Sequence, residues 1–95
     1  MTEIKIKPRD LIRHELIGLQ CRVLDATDPS IVGCEGEVVD ETRNMLILKN
    51  DVRERKIPKK DATFLFALPG RKVKVKGKLL VARPEDRIKK RILRS

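Results

Sequence analysis

Three lysines alternate with two valines in one short stretch of the chain, Lys72-Val73-Lys74-Val75-Lys76. In a β-strand this alternation would place the lysines on one face, two strand rises or about 7 Å apart. The spacing is close to the phosphate repeat along a nucleic acid strand, about 6–7 Å. A row of ammonium groups at that spacing can neutralise phosphates and release their counterions. The pattern therefore predicts a binding site for a polyanion, and Lys72, Lys74 and Lys76 are hereafter the lysine ladder.

The distribution of charge along the chain supports the same interpretation. The 95 residues have a formal net charge of +9, and residues 71–95 hold all of it, with only Glu85 and Asp86 as acids. Residues 1–70 carry equal numbers of basic and acidic side chains. A neutral body with a cationic end favours nucleic acid as the partner. A solubilising tail and a contact with an acidic membrane surface are the alternatives that charge alone leaves open.

Two further cationic groups are candidate nucleic-acid contacts. The first group is Arg53, Arg55, Lys56, Lys59 and Lys60. The second group lies on the last predicted helix and consists of Arg87, Lys90, Arg91 and Arg94. Nearby acids such as Glu54, Asp61 and Asp86 could neutralise parts of both groups. The lysine ladder has no such acids beside it in the sequence, which makes it the strongest candidate.

Residue types that could support catalysis do not form a convincing constellation. His14 is the only histidine, and Ser30 lies beside a proline turn. The acids between residues 35 and 41 are typical of the solvated face of a strand. Cys21 and Cys34, even with His14, fall short of the four ligands of a structural zinc site. We therefore predict no catalytic residues, no metal ligands, no bound cofactor and no small-molecule substrate. The cysteines are predicted to be small buried side chains, with a disulfide left open for a hyperthermophilic source.

The aromatic content limits how RNA could be recognised. The chain contains Phe64 and Phe66 but neither Tyr nor Trp. Both phenylalanines lie in the most apolar predicted strand and are core candidates. Proteins that bind single strands stack bases on aromatic rings, each worth about 1–3 kcal/mol. We therefore expect phosphate contacts and the shape of a folded RNA to dominate binding.

The predicted elements form one domain that covers residues 1–95. A short helix at residues 8–17 begins at Pro8 and ends before Gly18. Within residues 19–81, apolar and polar residues alternate in short strands that are separated by closely spaced turns. Gly36 marks a bend inside one of these strands. A second helix at residues 84–93 begins at Pro84. This order predicts an all-β protein, a small, strongly bent antiparallel barrel with a helix at each terminus. The predicted strands are residues 19–27, 35–40, 45–48, 52–57, 63–68 and 71–76, followed by a short apolar run at 79–81.

Membrane insertion is not predicted. The longest apolar run, residues 64–68, is far short of the ~20 residues of a spanning helix. The start of the chain lacks the apolar region of a secretory signal, so a cytoplasmic location is expected.

An apolar stripe marks each predicted helix. These stripes either close the ends of the barrel or form a partner-binding surface. The candidate partner-binding residues are Leu11, Ile12, Leu16, Ile88 and Ile92.

Several ordered segments resemble one known family. They are HELIGL at 14–19, DPSIVG at 28–33, GEVVDETRNML at 36–46, IPKKDATF at 57–64 and GKLLVARPEDRI at 77–88. This series resembles the archaeal ribonuclease P protein component 1 family, the Sm-like barrel subunit shared with eukaryotic RNase P and RNase MRP. The match runs in order from about residue 8 to residue 92. The long amino-terminal extension of the eukaryotic relatives is absent, which indicates an archaeal member.

The resemblance implies a function as well as a fold. It implies a strongly bent Sm-like barrel with terminal helices, within a ribonucleoprotein that removes the 5′ leader from precursor tRNA. In that family the RNA subunit holds Mg²⁺ and performs hydrolysis. The protein binds RNase P RNA, with precursor tRNA as a second candidate, and pairs with a zinc-ribbon protein subunit. The alternative is an Sm-like scaffold or adaptor that acts mainly through protein partners.

Overall fold

The computed structural model describes residues 15–86, which contain six strands. The strands are β1 (Gln20–Ala26), β2 (Glu35–Glu41), β3 (Met45–Lys49), β4 (Glu54–Pro58), β5 (Ala62–Leu68) and β6 (Arg71–Lys76). Two short 3₁₀ turns, Pro29–Ile31 and Gly77–Leu80, follow β1 and β6. Within this range no helix is long and apolar enough to cross a membrane.

The six strands form one antiparallel sheet in the order β4-β3-β2-β1-β5-β6. The antiparallel all-β prediction is therefore confirmed for the described residues. The predicted barrel is not closed, because β4 and β6 lie at the two ends of the order and do not pair with each other. The sheet consequently has two edges, and the lysine ladder lies on one of them.

Two register shifts contribute to the curvature of the sheet. One lies in β1 between Val23 and Asp25, and the other lies in β2 between Val38 and Asp40. Bulges of this kind increase local twist and bend the strand. The predicted bend at Gly36 has a different explanation. A Cβ atom there would collide with the backbone of Lys49, so glycine allows a close approach between chain segments.

The core lies on one side of the sheet, here named the inner face, and its residues occupy alternating strand positions. Val23 of β1 pairs with Phe64 of β5, which pairs with Val75 of β6. All three side chains are buried. Phe66 is fully buried as well, and its ring centroid is 6.0 Å from that of Phe64. The prediction that both phenylalanines belong to the core is confirmed.

The turn between β5 and β6 sets the register of the lysine ladder. Pro69 has a ring-restricted φ, and Gly70 has a φ of 77°, a left-handed conformation that favours glycine. This two-residue connection pairs Leu68 with Arg71. From that pair onward, Val73 and Val75 point to the inner face while the intervening lysines point outward. The turn therefore determines which face carries the charge.

One predicted element is contradicted by the structure, and another is described only in part. The short apolar run at 79–81 overlaps the 3₁₀ turn Gly77–Leu80, in which Leu80 is buried. The end of the predicted first helix is wrong, since residues 15–18 form irregular chain and a turn, with Gly18 at φ 98°. Residues 8–14 lie outside the described range. Of the predicted second helix only residues 84–86 are described, and they are helical but too few to show it.

Both cysteines are free thiols, and Cys21 lies in the core with 3% exposure. Burial raises the pKa of the Cys21 thiol from its ordinary value of 9.0 to about 12. We therefore expect Cys21 to resist alkylation by iodoacetamide in the folded protein at pH 8, and to react only on unfolding. Mass spectrometry after alkylation measures this, with the half-buried Cys34 as internal comparison. Rapid labelling of Cys21 in the folded protein would contradict its placement.

The same shift has a consequence for stability. Between pH 9 and about 12 the unfolded chain loses the Cys21 proton while the folded chain retains it. The contribution of this group is complete below pH 9 and decreases as pH rises toward 12.

Candidate nucleic-acid interface

The lysine ladder lies on the side of the sheet opposite the core, here named the outer face. Lys72, Lys74 and Lys76 are exposed and alternate with the buried Val73 and Val75. Within residues 15–86, no carboxylate oxygen lies within 4.0 Å of the three ammonium groups. The ladder is therefore a continuous row of cations on one open surface, as the sequence predicted.

The position of the ladder on an edge strand has two consequences. Among residues 15–86, strand β6 pairs only with β5, so no other described strand covers the outer side of the ladder. Charged residues on an edge strand also discourage pairing with the edges of other molecules. Protection of the edge and binding of a polyanion are compatible roles for the same side chains.

The cationic surface continues beyond the ladder. Arg22 of β1 pairs with Leu65 of β5, which pairs with Lys74. Arg22 therefore lies two strand spacings from Lys74, or about 10 Å, on the same face. Lys60 and Lys78 lie with Lys76 around a groove at one end of the ladder. These six residues are hereafter the basic face: Arg22, Lys60, Lys72, Lys74, Lys76 and Lys78.

Sequence reasoning missed Arg22 and Lys78 as members of this surface. The alternation of apolar and polar residues in this strand already placed Arg22 on the face opposite Cys21 and Val23. The sequence did not show, however, that β1 pairs with β5. Lys78 directly follows the strand, where the sequence indicated only a separating glycine at position 77. Both assignments depend on strand order, which is a non-local property.

The other half of the outer face, on β2, β3 and β4, has mixed charge. Lys49 pairs with Glu37 on one side and with Glu54 on the other. Lys56 pairs with Ile47, whose other neighbour is Asp40. A cavity of about 450 Å³ lies among these side chains. This half lacks the excess of positive charge that would attract a polyanion.

The first additional cationic group is not brought together by the structure. Lys56 lies on the mixed half of the outer face, and Arg53 lies in the turn before β4. Arg55 is half-buried and pairs with Leu48, which places its side chain at the rim of the inner face. There it faces Asp28. Hydrogen bonds from Ser30 lower the pKa of Asp28, and the charge of Arg55 lowers it further.

The prediction that Lys59 contacts RNA is wrong, because its side chain is fully buried. Its Nζ donates to Glu41 Oε2 at 2.7 Å and to the carbonyl of Thr42 at 2.7 Å. It also lies within hydrogen-bond distance of the carbonyls of Arg43 (3.2 Å), Leu80 (3.0 Å) and Ala82 (3.1 Å). These contacts join the β2–β3 turn to the chain after β6. Only Lys60 of this group belongs to the basic face.

The remaining predicted site residues are mostly outside the described range. This applies to the cations Arg87, Lys90, Arg91 and Arg94 and to the apolar residues Leu11, Ile12, Ile88 and Ile92. Leu16 is described, and its assignment to a partner surface is wrong because it is fully buried in the core. Among residues 15–86, no group of three or more His, Cys, Asp or Glu side chains could hold a metal ion.

Comparison with known proteins gives a consistent result. The family model described as Ribonuclease P/MRP, subunit p29, matches residues 9–90. Ribonuclease P protein component 1 of Methanocaldococcus jannaschii is 53% identical over 88 residues, covering 92% of this chain and 93% of that protein. The protein of the same name from Methanosarcina acetivorans is 46% identical, covering 93% and 90%.

A solved structure is similar as well. It is described as Mth11, a homologue of the human RNase P protein Rpp29, and it matches with a TM-score of 0.59 and 50% sequence identity. The match covers 80% of this chain and 100% of that chain.

Proposed function

This chain belongs to the ribonuclease P/MRP subunit p29 family, and from that premise we propose that it is the RNA-binding subunit of an archaeal ribonuclease P. Its role is to bind the RNase P RNA during removal of the 5′ leader from precursor tRNA, and precursor tRNA is a second candidate ligand. The observation that carries this proposal is the row of exposed lysines on β6.

The basic face explains how the chain would bind RNA. The ladder lysines are about 7 Å apart, so successive ammonium groups can meet successive phosphates of one backbone. Arg22 lies two strands away from the ladder on the same face, about 10 Å from Lys74, and can contact a second backbone segment. Because the described residues present no stacking aromatic on this face, binding depends on phosphate position and RNA shape.

The proposal assigns the hydrolytic step to the RNA. Mg²⁺ at the RNA subunit would activate water and stabilise the leaving oxygen, while the lysines and arginine of this chain orient the RNA and reduce its charge repulsion. A cytoplasmic location and a zinc-ribbon protein subunit as partner are parts of the same proposal. The scaffold alternative would place the main binding energy in protein contacts instead.

Reconstitution tests the proposal directly. Precursor-tRNA cleavage by the RNase P RNA is measured at limiting Mg²⁺ with and without the purified chain and the other protein subunits. We expect the chain to lower the Mg²⁺ concentration that half-maximal cleavage requires, because protein cations replace part of the counterion requirement. A variant with all three ladder lysines changed to glutamine should lose most of this effect.

Three results would contradict the proposal. Cleavage that does not depend on the chain would remove its role in the complex. Cleavage of precursor tRNA by the chain without any RNA subunit would place catalysis in the protein. If the variant with glutamine at the three ladder positions lowers the Mg²⁺ requirement as much as the unmodified chain does, the scaffold alternative is favoured.

A further inference from the structure

A groove of about 390 Å³ lies at one end of the basic face, where β1, β5 and the chain after β6 meet. This volume falls within the range of small-ligand sites, roughly 300–1,000 Å³. Lys60, Lys76 and Lys78 contribute cations to its lining. Lys76 is also the last residue of the lysine ladder. An RNA backbone that follows the ladder would therefore lead directly into the groove.

The other polar groups of the groove have a different chemistry. Asp25 and Asp61 contribute carboxylates, and Thr27 and Thr63 contribute hydroxyl groups. An ionised carboxylate accepts hydrogen bonds but donates none. A ligand that suits the whole lining must combine a negative charge for the lysines with hydroxyl or N–H donors for the aspartates. A ribonucleotide has both, in its phosphate and in its 2′-hydroxyl and base.

The backbone around the groove is held by hydrogen bonds. Thr27 N donates to the carbonyl of Asp61 at 3.0 Å, which ties the end of β1 to the start of β5. The turn that carries Lys60 and Asp61 begins at Lys59, whose backbone N donates to the carbonyl of Asn44 at 2.8 Å. The buried side chain of Lys59 adds its own bonds to two other segments, residues 41–43 and residues 80–82.

Close packing fixes the opposite wall. A Cβ atom at Gly77 would collide with the carbonyls of Lys59 and Ala62, so the chain between Lys76 and Lys78 lies directly against the β4–β5 turn. A site whose backbone is already ordered loses less entropy on binding. The two adjacent lysines therefore differ in position, with Lys59 buried beneath the turn and Lys60 lining the groove.

We propose that this groove binds one unpaired ribonucleotide of the RNA held by the lysine ladder. The lysines hold its phosphate, and the carboxylates and threonines accept and donate hydrogen bonds to its 2′-hydroxyl and base. The inference rests on the proposed RNA-binding function and adds a specific RNA feature, a nucleotide extruded from a folded RNA. Recognition of the 2′-hydroxyl also distinguishes RNA from DNA.

Three RNA hairpins that differ at one position test the inference. The first is fully paired in its stem, the second has one bulged nucleotide, and the third has the same bulge with a single 2′-deoxy substitution. Affinities are measured by fluorescence anisotropy with the full chain. We expect the bulge to improve binding roughly three- to tenfold and the deoxy substitution to remove about two- to fivefold, the size of one hydrogen bond.

Two matched variants assign the effect to the groove. Asp25→Ala/Asp61→Ala removes two acids from the groove, whereas Glu35→Ala/Glu37→Ala removes two acids from the outer face beside Arg22 and Gln20. Both should bind the fully paired hairpin more tightly because repulsion is reduced. Only the first should lose the preference for the bulge and its 2′-hydroxyl, so the ratio of affinities separates recognition from general electrostatics.

The outcomes distinguish this inference from the proposed function. Equal, salt-sensitive binding of all three hairpins by the unmodified chain would overturn the groove proposal. It would remain consistent with phosphate binding by the lysine ladder. A preserved preference in the groove variant would overturn it as well. Binding of no hairpin, or binding insensitive to salt, would instead contradict the proposed function.

Discussion

Changing Lys72, Lys74 and Lys76 together to glutamine is expected to weaken binding to RNase P RNA about 100-fold near 0.1 M salt. Each lost phosphate contact removes about 0.7–0.9 from the slope of log K against log salt. Three contacts together account for about two to three units of slope and a similar number of decades in affinity. Anisotropy or filter binding at several salt concentrations measures both quantities.

The structure indicates that this change leaves the fold intact. All three side chains are exposed on an edge strand, and glutamine is a smaller, uncharged polar residue that such a position accommodates. The buried valines between them are unchanged, so the packing of β6 against β5 remains. Far-ultraviolet circular dichroism and the urea midpoint should match those of the unmodified chain.

A matched variant separates the ladder from net charge. Lys49→Gln/Arg53→Gln/Lys56→Gln removes the same charge from the other part of the molecule, where acids are interspersed. We expect it to weaken binding by no more than about tenfold, because those cations act only through the long-range field. Equal losses in the two variants would mean that total charge alone determines affinity and that the ladder is not the contact surface.

The sequence predicted correctly that the ladder lysines share one exposed face, because the signal for this arrangement is local. Alternation of lysine and valine over five residues decides which face each side chain occupies, and the Pro69-Gly70 turn decides where the strand begins. The same applies to Phe64 and Phe66, whose positions in an apolar strand predicted burial. Patterns of this kind need no knowledge of strand order.

The failures at the candidate site and in the closure of the barrel involve contacts between distant parts of the chain. Lys59 follows a charged strand and precedes another lysine, so its sequence context is typical of an exposed turn. Its burial depends on Glu41 and on carbonyls near residues 42–43 and 80–82, which only the folded sheet brings together. Leu16 likewise had the spacing of a helix stripe but packs into the core from irregular chain. The open edge between β4 and β6 is also a property of strand order.

The position of Lys59 explains how the open sheet holds its shape. Strand β4 ends just before Lys59, and β6 ends just before Gly77 and the turn that leads to Leu80. No backbone hydrogen bonds pair these two strands, but the Lys59 side chain bonds to the carbonyls of Leu80 and Ala82. Ala82 N also donates to the carbonyl of Arg43 at 3.1 Å. One buried ammonium group therefore connects the two ends of the sheet at one corner.

We accordingly expect Lys59→Met to destabilise the protein by at least about 3–5 kcal/mol, the usual loss when one partner of a buried ion pair is removed. Glu41 would remain as a buried charge, and the four carbonyls would lose their shared donor. For a small domain with about 5–15 kcal/mol of total stability, this is a large fraction. Urea unfolding, followed by circular dichroism with a common m-value, measures the difference.

Two further variants divide this loss between the ion pair and the carbonyl bonds. Glu41→Gln keeps an oxygen acceptor for the ammonium group and should cost about 1–3 kcal/mol, the value for a weakened buried polar contact. Glu41→Leu/Lys59→Met removes both charges and should be more stable than Lys59→Met alone, since no unpaired charge remains. It should still be less stable than the unmodified chain, because the carbonyls of Leu80 and Ala82 keep no donor from residue 59. Full stability of the double variant would show that the carbonyl contacts contribute nothing, and a change below about 1 kcal/mol in Lys59→Met would show that this corner does not hold the sheet together.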